Sequence, residues 1–454
     1  MKKFTTIFLS MFILLSLPFY TFAATLDDIK SIIRSDYVGE INGDLKSAKT
    51  IDEVIDMLDP YSDYFTKEEY ASFMNAINNS SVGIGIVIEE NENGILIVEV
   101  IENSSAAKAT IEAGDVITKI NGQSTINMSI EEFQAITLKE ENANIELELL
   151  KSNGKTVTKT IRLSTFSLPN VSSKLLYGNV GYISLNSFSE DGAELVANAY
   201  TKLLSQGATS FIVDLQNNGG GYVLTAERLI GMFPGATYAY KMKSPTTTVR
   251  VSATQQAIKF PTSTRILVNR YSASASEMTA AALLDQHSAI LYGEQTYGKG
   301  TMQTFYQFSD GSVLKLTIAE FFGPNGTVVK NVGVKPNIIT TSNPLYTAHY
   351  DQIVENLVNY KELPSLKEVP TTKTFTISFN KEINSTIGLD GVELVQLGGS
   401  KVNVTTKVSG KQLIITPTKP LQNGGEYVLI VKPTIKDKNG KSMIKGYYLK
   451  VSVQ

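Results

Sequence analysis

Between Phe166 and Asn337, short apolar segments that end in turn residues alternate with helical segments. One unit runs from Ser210–Leu215 through a glycine-rich turn into a helix over about Val223–Met232. A second runs from Arg265–Asn269 through a serine-rich turn into an alanine-rich helix that ends near Gln286. Because strands that alternate with helices are typical of an α/β sheet, this pattern restricts the middle of the chain to that class.

The flanking segments follow other patterns. Leu26–Ile77 predicts helices, one of which begins near Thr66, because Thr66 with Glu69 has the form of a capping box. Ser81–Ser164 is rich in short strands, the first predicted over Val82–Ile88, and contains one helix. From Val369 onward, period-two alternation between turn residues predicts a sandwich of short β-strands.

The sequence therefore predicts a multidomain α+β protein. Its 454 residues suit about three domains at ~150 residues each. The predicted regions are a signal peptide (1–24), an N-terminal helical region (25–80), a strand-rich domain (81–165), the α/β core (166–345), a helical linker (346–366) and a C-terminal β-sandwich (367–454).

The N-terminus has the order of a secretory signal: Lys2 and Lys3, then the apolar run Phe4–Phe19, then small residues. We expect cleavage after Ala23 or Ala24 and a secreted or extracytoplasmic protein. The alternative, a permanent membrane anchor, needs ~20 apolar residues. The run is interrupted by Ser10, Ser16 and Pro18.

Composition excludes several kinds of site and partner. The chain has no cysteine, so neither a thiol nucleophile nor a thiolate metal site can form. Its two histidines, His287 and His349, leave little for a histidine-based zinc site. A net charge of −3 gives no reason to expect nucleic acid as a partner.

Three short motifs in the α/β region can carry chemistry, although each alone is weak. Ser274–Glu277 opens a helix and is either a capping box or a serine nucleophile at the positive end of the helix. Tyr297–Gln303 contains a lysine between two glycines. It is either a turn with a solvated lysine or a segment whose backbone bends closely around the lysine side chain. Gly219–Gly221 is a tight connection or a turn that presents N–H groups to an anion.

Together and in this order, the motifs resemble those of the C-terminal processing, or tail-specific, serine peptidases. The matching segments are Val213–Gly221, Ser272–Glu277 and Gly298–Gln303, within a resemblance from about Leu26 to Asn337. It implies a PDZ domain, a crotonase/ClpP-like α/β peptidase core, and peptide hydrolysis without metal or other cofactor. One departure is Gln216, where the family usually has arginine.

The resemblance implies a role for each matching residue. Ser274 is the expected nucleophile, Lys299 the general base, and Gln303 the residue that orients the lysine amine. The expected oxyanion donors are the backbone N–H groups of Ala275 and Gly220. Two further motif residues, interpreted as a helix cap and a structural support, are Glu277 and Asp285.

The proposed base has a physical requirement. A lysine with a pKa of ~10.4 is protonated at neutral pH, so Lys299 must lose part of its preference for the charged form through burial. We therefore expect Lys299 to be buried, ~3 Å from the Ser274 hydroxyl in the active state. A Ser-His-Asp triad is disfavoured, because His287 lies 13 positions along the same helix, nearly ~20 Å from Ser274.

Two further segments resemble known modules. Val82–Ile86 and Ala113–Gly122 resemble PDZ domains, in which loop N–H groups hold a C-terminal carboxylate while the peptide adds as a strand. The residues this implies are Gly83, Ile84, Gly85 and Ile86. An inert glycine-containing hairpin is the alternative. Val369–Gln454 resembles bacterial Ig-like modules, which indicates a fold and no function.

The sequence thus predicts an exported serine endopeptidase with a Ser-Lys dyad, which cleaves proteins after its PDZ domain binds an apolar C-terminal tail. The expected partners are proteins or peptides with free C-terminal tails. Cell-envelope association and a homo-oligomer stay open. The alternative is an envelope scaffold or adhesion protein whose peptidase core is inactive.

Overall fold

The computed structural model describes residues 24–137, 141–384 and 391–454, so the predicted signal peptide lies outside the described residues except at Ala24. The chain divides into two compact units. The first comprises Met1–Asn170, Lys241–Arg250 and Gly300–Phe322. The second comprises Val171–Tyr240, Val251–Lys299 and Gly323–Gln454. The chain therefore passes from the second unit to the first between Lys299 and Gly300.

The elements follow in chain order. The helices are α1 (Leu26–Asp36), α2 (Ile51–Ile55), α3 (Lys67–Ile77), α4 (Ser105–Lys108), α5 (Ile130–Thr137), α6 (Gly192–Ser205), α7 (Val223–Ile230), α8 (Ala275–Asp285) and α9 (Pro344–Glu355). The first strands are β1 (Asp63–Phe65), β2 (Ser80–Gly83), β3 (Ile86–Asn91), β4 (Gly94–Val100), β5 (Val116–Ile120), β6 (Gln123–Ser124), β7 (Asn144–Leu150), β8 (Thr156–Arg162) and β9 (Ser164–Ser167). The next are β10 (Val171–Leu176), β11 (Val180–Leu185), β12 (Ser210–Asp214), β13 (Tyr238–Lys243), β14 (Thr248–Ser252), β15 (Arg265–Val268), β16 (Ile290–Gly293), β17 (Thr301–Gln307), β18 (Val313–Phe322) and β19 (Ile338–Ile339). The last are β20 (Tyr360–Glu362), β21 (Leu366–Val369), β22 (Phe375–Ser378), β23 (Val392–Gln396), β24 (Lys401–Val402), β25 (Val404–Ser409), β26 (Gln412–Pro417), β27 (Glu426–Val431) and β28 (Gly446–Val453).

The N-terminal helices pack on a strand that comes much later in the chain. Ile29 and Ile33 of α1 and Val54 of α2 share one buried cluster with Leu314 and Leu316 of β18. The helix predicted to begin near Thr66 is confirmed as α3, which has Thr66 as its N-cap and a complete capping box with Glu69. The N-terminal helices are therefore part of the first unit and not a separate domain.

The strand-rich domain of the first unit is a sheet in the order β3-β4-β5-β7-β8, with β6 on β5. Its core includes Ile95, Ile117 and Leu147 from the strands and Phe133 from α5. The predicted continuous strand over Val82–Ile88 is wrong in one respect, because the chain leaves β2 at Gly83 and starts β3 only at Ile86. The break follows from Gly85, whose φ of +77° is left-handed.

The α/β core of the second unit is a sheet in the order β10-β11-β12-β15-β16-β19. The neighbours from β11 to β19 pair in parallel, and β10 is antiparallel to β11. Strands β12 and β15 are buried along almost their whole length, which explains their continuous apolar sequences. The predicted alternation of strands and helices is confirmed.

The C-terminal region is a sandwich of two sheets. One has the order β20-β28-β27-β23-β24, with β21 also on β28, and the other has the order β22-β26-β25. The predicted helical linker (346–366) is helical only in its first half. The helix α9 ends at Glu355, and β20 then pairs with β28 because its backbone groups complete the edge of that sheet.

The sandwich packs on the α/β core within the second unit. Ile353 of α9 lies in one buried cluster with Val395, Val428 and Tyr448 of the sandwich strands. Beside this cluster, the buried His349 ring accepts a hydrogen bond from Gly398 N–H at Nδ1 (2.9 Å), and its Nε2 lies 2.9 Å from the Tyr177 carbonyl oxygen. The region predicted as a linker is thus a packed interface.

Candidate active site

All three sequence motifs follow the carboxyl ends of neighbouring parallel strands. The glycine turn follows β12, the serine-rich turn follows β15, and the Gly-Lys-Gly segment follows β16. Because β12, β15 and β16 are adjacent and parallel, their carboxyl ends meet at one edge of the sheet. The topology therefore brings motifs 80 positions apart in the sequence (219 to 299) to one place.

Backbone hydrogen bonds connect the three turns to one another. Ala273 N–H donates to Asn218 O at 3.0 Å, which joins the serine-rich turn to the glycine turn. Tyr297 N–H donates to Ser272 O at 3.1 Å, which joins the lysine segment to the serine-rich turn. These bonds fix the relative positions of the backbones that carry the motifs.

Ser274 occupies a strained position at the start of α8. It is the N-cap residue of this 11-residue helix, with φ 55° and ψ −112°. A non-glycine residue at positive φ costs about 1–3 kcal/mol and persists only where the surroundings over-determine it. Here the neighbouring serines hold the turn, because the buried hydroxyls of Ser272 and Ser276 donate to Leu215 O (2.7 Å) and Asn218 O (2.8 Å).

Glu277 connects the serine-rich turn to the lysine segment. Its Oε2 accepts the N–H groups of Ser274 and Lys299, each at 2.9 Å. Its Oε1 accepts Gly298 N–H at 2.5 Å and the Thr296 hydroxyl at 2.7 Å. Burial of this fully enclosed carboxyl raises its pKa, and the hydrogen bonds from its neighbours oppose that shift.

The interpretation of Glu277 as a helix cap is therefore correct and incomplete. The hydrogen bond with Ser274 N–H is a capping contact, whereas those with Thr296, Gly298 and Lys299 cross to another loop. No local signal in the sequence marks Thr296. Its hydroxyl also accepts Val334 N–H at 2.7 Å, which fixes the orientation in which it donates to Glu277.

Lys299 is half-buried in the structure, so the expected burial is only partly reached. Its backbone is held by Glu277, and glycines at positive φ (93° and 57°) stand on both sides, at positions 298 and 300. In the first unit, Gln303 lies on β17 and donates from Nε2 to the hydroxyls of Thr301 (3.0 Å) and Thr317 (3.1 Å). These two bonds fix the orientation of the Gln303 amide.

Gly220 lies directly against the turn that carries Ser274. A Cβ atom at this position would lie 2.7 Å from Ser274 Cβ and 3.0 Å from Ala275 N, so only glycine allows this approach. The Gly220 N–H donates to Asn218 Oδ1 at 2.9 Å. In this structure the amide that the sequence assigns to the oxyanion therefore already has an acceptor.

Asn218 is a second residue whose role the sequence did not reveal. It is fully buried, and its Nδ2 donates to Leu185 O at 2.8 Å while its Oδ1 accepts from Gly220. Asparagine before glycines is a turn signal, and that signal could have singled it out. Asn218 sets the conformation of the glycine turn that faces Ser274.

Two residues lie away from this group. Asp285 is at the far end of α8, where its Oδ2 accepts Asn325 N–H at 2.7 Å and its Oδ1 accepts the Thr327 hydroxyl. This contact agrees with the interpretation of Asp285 as a support. His287 is exposed just beyond the end of the same helix, about 15 Å or more from its start.

Gln216, a departure from the family pattern, follows a buried carboxyl and contacts it through its backbone N–H. Asp214 accepts the Tyr182 hydroxyl at 2.7 Å and Gln216 N–H at 2.8 Å. Burial raises the pKa of Asp214, and the two hydrogen bonds oppose the shift. The tyrosine hydroxyl thus supplies the side-chain donor to Asp214 at the end of β12.

The loop predicted to hold a carboxylate connects β2 to β3 in the first unit. Ile84 is buried, and its carbonyl accepts Ala106 N–H at 2.8 Å. A Cβ atom at Gly85 would lie 2.3 Å from Ser104 Cβ, so glycine is required there as well. The next residue, Ile86, begins β3, so the loop leads directly into that strand.

Comparison with known proteins assigns the regions. The sequence model of peptidase family S41 matches residues 179–340, that of the PDZ domain residues 72–150, and that of a bacterial Ig-like domain residues 364–451. The carboxy-terminal processing protease CtpA of Bacillus subtilis strain 168 is 32% identical over 353 residues, which cover 77% of this chain and 72% of that protein.

The chain belongs to peptidase family S41. The S41 peptidase is also 31% identical over 357 residues to a "Probable CtpA-like serine protease" of Staphylococcus aureus strain MRSA252, covering 78% of this chain and 68% of that one. A solved photosystem II D1 C-terminal processing protease has a TM-score of 0.44 and 22% identity, over 73% of this chain and 95% of that chain. The predicted family, PDZ domain and Ig-like domain are confirmed.

The S41 peptidase shows no cluster of three or more histidine, aspartate or glutamate residues able to hold a metal ion within residues 24–137, 141–384 and 391–454. Over the same ranges, no helix is both long and apolar enough to cross a membrane.

Proposed function

We propose that this S41 peptidase is an exported endopeptidase that cleaves proteins after its PDZ domain has bound a free, apolar C-terminal tail. Ser274 is the nucleophile and Lys299 the general base. The observation that carries the proposal is the shared carboxylate of Glu277, which holds the backbones of both residues. The proposal of export rests on the basic and apolar order of the N-terminal sequence.

The chemistry follows from these two side chains. The neutral Lys299 amine takes the proton of the Ser274 hydroxyl while Oγ attacks the substrate carbonyl carbon. The same proton passes to the leaving amine as the C–N bond breaks, and an acyl-enzyme remains. Water then attacks the ester while Lys299 accepts its proton, and Lys299 returns that proton to Ser274 Oγ as the acyl C–O bond breaks and the acid product leaves.

The start of α8 supports stabilisation of the oxyanion. Ala275 N–H belongs to the first turn of the helix, where unsatisfied N–H groups and the helix dipole favour negative charge. Gly220 N–H, 2.9 Å from Asn218 Oδ1, has to exchange that acceptor for the oxyanion in order to contribute. Gln303 is proposed to orient the Lys299 amine in the active state.

The experiment compares the wild type with Ser274→Ala and Lys299→Ala on an unfolded protein that ends in an apolar tail. Both variants lose cleavage to the background rate and keep the wild-type unfolding midpoint. Lys335→Ala, which removes an exposed lysine in the same unit, keeps wild-type activity. Substantial cleavage by either dyad variant contradicts the assignment.

The alternative function is an envelope scaffold with an inactive core. A serine-reactive phosphonate distinguishes the two, because it labels Ser274 only where a base and an oxyanion site activate the hydroxyl. Labelling of the wild type and not of Lys299→Ala supports the peptidase. Absence of labelling in the wild type supports the scaffold.

A further inference from the structure

The PDZ sheet of the first unit has one open edge next to its glycine loop. In the described part of the chain, β3 pairs with β4 alone and stands at the end of the sheet order. Ile86 and Ile88 of β3 are half-buried against the domain core, and α5 packs beside the strand. An edge strand with half-buried apolar residues is suited to accept a peptide as an additional strand.

The far half of this edge is acidic. Glu89 and Glu90 occupy consecutive positions on β3, Glu92 follows the strand, and all three are exposed. None of them forms an ion pair with a described residue. An open cavity of about 500 Å³ lies at this end of the strand. It is lined by Glu90, Asn91, Glu92, Asn127, Met128 and Ser129.

The register of a bound tail follows from the geometry of the domain. A peptide whose carboxylate lies at the Gly83–Gly85 loop runs antiparallel to β3, so its last residue faces Ile86. Counting along β3, the residues three and four positions before the end of the tail then face Glu89 and Glu90. Directly opposed residues of antiparallel strands have Cβ atoms about 4.5–5.5 Å apart, within reach of a lysine or arginine.

We propose that the groove between the open edge of β3 and α5, called here the PDZ groove, selects tails with an apolar end. It further selects lysine or arginine three and four residues before the C-terminus. This inference rests on the proposed tail-reading function and narrows its substrate class. Opposite charges across paired strands stabilise the pair and like charges destabilise it. One such pair changes affinity by up to about fivefold, and two pairs multiply the effect.

The occupant is a substrate tail and not an arbitrary strand, because charge and end group are read at opposite ends of one groove. The loop at the start of β3 suits a negative carboxylate, and the glutamates at its end suit positive side chains. A tail with acidic residues at those positions is repelled by the glutamates, even when its carboxylate is bound at the Gly83–Gly85 loop.

The test uses the full chain with Ser274→Ala, so that peptides bind without being cleaved. Three fluorescein-labelled decapeptides share the C-terminal sequence Val-Ala-Leu and carry Lys-Lys, Ser-Ser or Glu-Glu at the two preceding positions. Fluorescence anisotropy at about 50 mM NaCl gives each Kd. We expect the Lys-Lys peptide to bind at least about fivefold more tightly than the Glu-Glu peptide, with a smaller ratio at about 500 mM NaCl because salt screens exposed charges.

Charge reversal on the protein provides the matched controls. Glu89→Lys and Glu90→Lys each lower the Lys-Lys preference, and the double variant reverses it. Glu146→Lys, which reverses another exposed charge on the interior strand β7, leaves the preference unchanged. These variants compare the same change of net charge at two places in one domain.

The outcomes separate this inference from the proposed function. Equal affinity for the three free-acid peptides, together with loss of binding on amidation, overturns the charge preference and leaves tail reading in place. Absence of binding by all three peptides overturns both. A change of molar mass in the double variant without any effect on peptide binding shows that the edge is a contact between two copies, and also overturns the inference.

Discussion

Ser274 and Lys299 donate their backbone N–H groups to the same atom, Oε2 of Glu277, each at 2.9 Å. The proposed nucleophile and base are therefore placed by one buried carboxylate. Their positions depend on each other, since a change at that oxygen alters both loops. This relationship makes Glu277 a positioning residue and gives the first prediction.

Replacement of Glu277 by glutamine lowers kcat more than it raises KM. Glutamine keeps one acceptor oxygen and has an NH2 group in place of the other. The groups that donated to the replaced oxygen therefore lose their acceptor. Each lost charge-assisted hydrogen bond costs about 1.5–3 kcal/mol. Steady-state kinetics on a short peptide and urea unfolding measure the two effects. Glu227→Gln, which alters a half-buried glutamate that accepts the Tyr240 hydroxyl (3.0 Å), is the control. An unchanged kcat for Glu277→Gln contradicts the positioning role.

The two serines that flank the nucleophile affect stability more than chemistry. Ser272→Ala and Ser276→Ala leave the Leu215 and Asn218 carbonyl groups without their hydroxyl donors. The free energy of unfolding falls by about 1–3 kcal/mol in each case, and activity remains measurable. Urea unfolding and kcat/KM are measured together. Loss of activity as complete as in Ser274→Ala, at unchanged stability, would contradict Ser274 as the nucleophile.

Acid destabilises the interface between the core and the Ig-like domain through His349. Burial lowers the pKa of this histidine to about 4, against an unperturbed 6.5. The unfolded chain therefore binds more protons between these pH values, so stability falls as the pH falls through this window, by about 3 kcal/mol in total. Urea unfolding at pH 7 and about pH 4.5 measures the change. His349→Gln reduces this dependence and His287→Gln, at the exposed histidine, does not. Equal pH dependence of stability in wild type and His349→Gln would show that His349 is not the cause of the acid destabilisation.

Activity rises with pH on an acidic limb set by Lys299, because only the neutral amine accepts the serine proton. The apparent pKa of this limb lies well below the ~10.4 of a free lysine. A pH profile of kcat/KM on a short peptide measures it. A limb that disappears in His287→Ala would show that the base is misassigned.

Amidation of a substrate's C-terminus slows its cleavage below saturation by about tenfold or more. The amide removes the charge that the loop at Gly83–Ile86 is proposed to bind, and a charge-assisted hydrogen bond contributes about 1.5–3 kcal/mol. Cleavage of free-acid and amidated forms of one protein is compared at equal concentration. Equal rates would contradict recognition of the free C-terminus by the PDZ domain. The protein would then be proposed as a general exported peptidase.

Removal of the Ig-like domain is expected to affect stability more than catalysis. The sequence predicts that its removal spares catalysis, because none of the residues assigned to chemistry lies there. The structure predicts that removal also lowers stability, since truncation after Glu355 exposes the face of α9 on which Ile353 is buried. We expect a truncated chain to have a lower unfolding midpoint and to keep its activity per folded molecule on a short peptide. A folded truncated chain without activity would make the domain part of the catalytic machinery.

The sequence by itself determined the order of the strand-rich, α/β and β-sandwich regions and most of their elements, whereas the proposed dyad rested on the family resemblance. Local patterns sufficed for these: buried parallel strands are continuously apolar, Thr66 and Glu69 form a capping box, and glycines mark the turns with positive φ. Each of these features depends on residues that are neighbours in the chain. The motifs around Ser274 and Lys299 could be found in the same way.

Only the tertiary structure decided what joins those motifs. Adjacent parallel strands bring the turns after β12, β15 and β16 together, and Glu277, Thr296 and Asn218 then meet partners from other turns. The same holds for His349, which the sequence places in a linker and the fold buries between two domains. A hydrogen bond across loops depends on distances set by strand order, and no periodicity within one segment records that order.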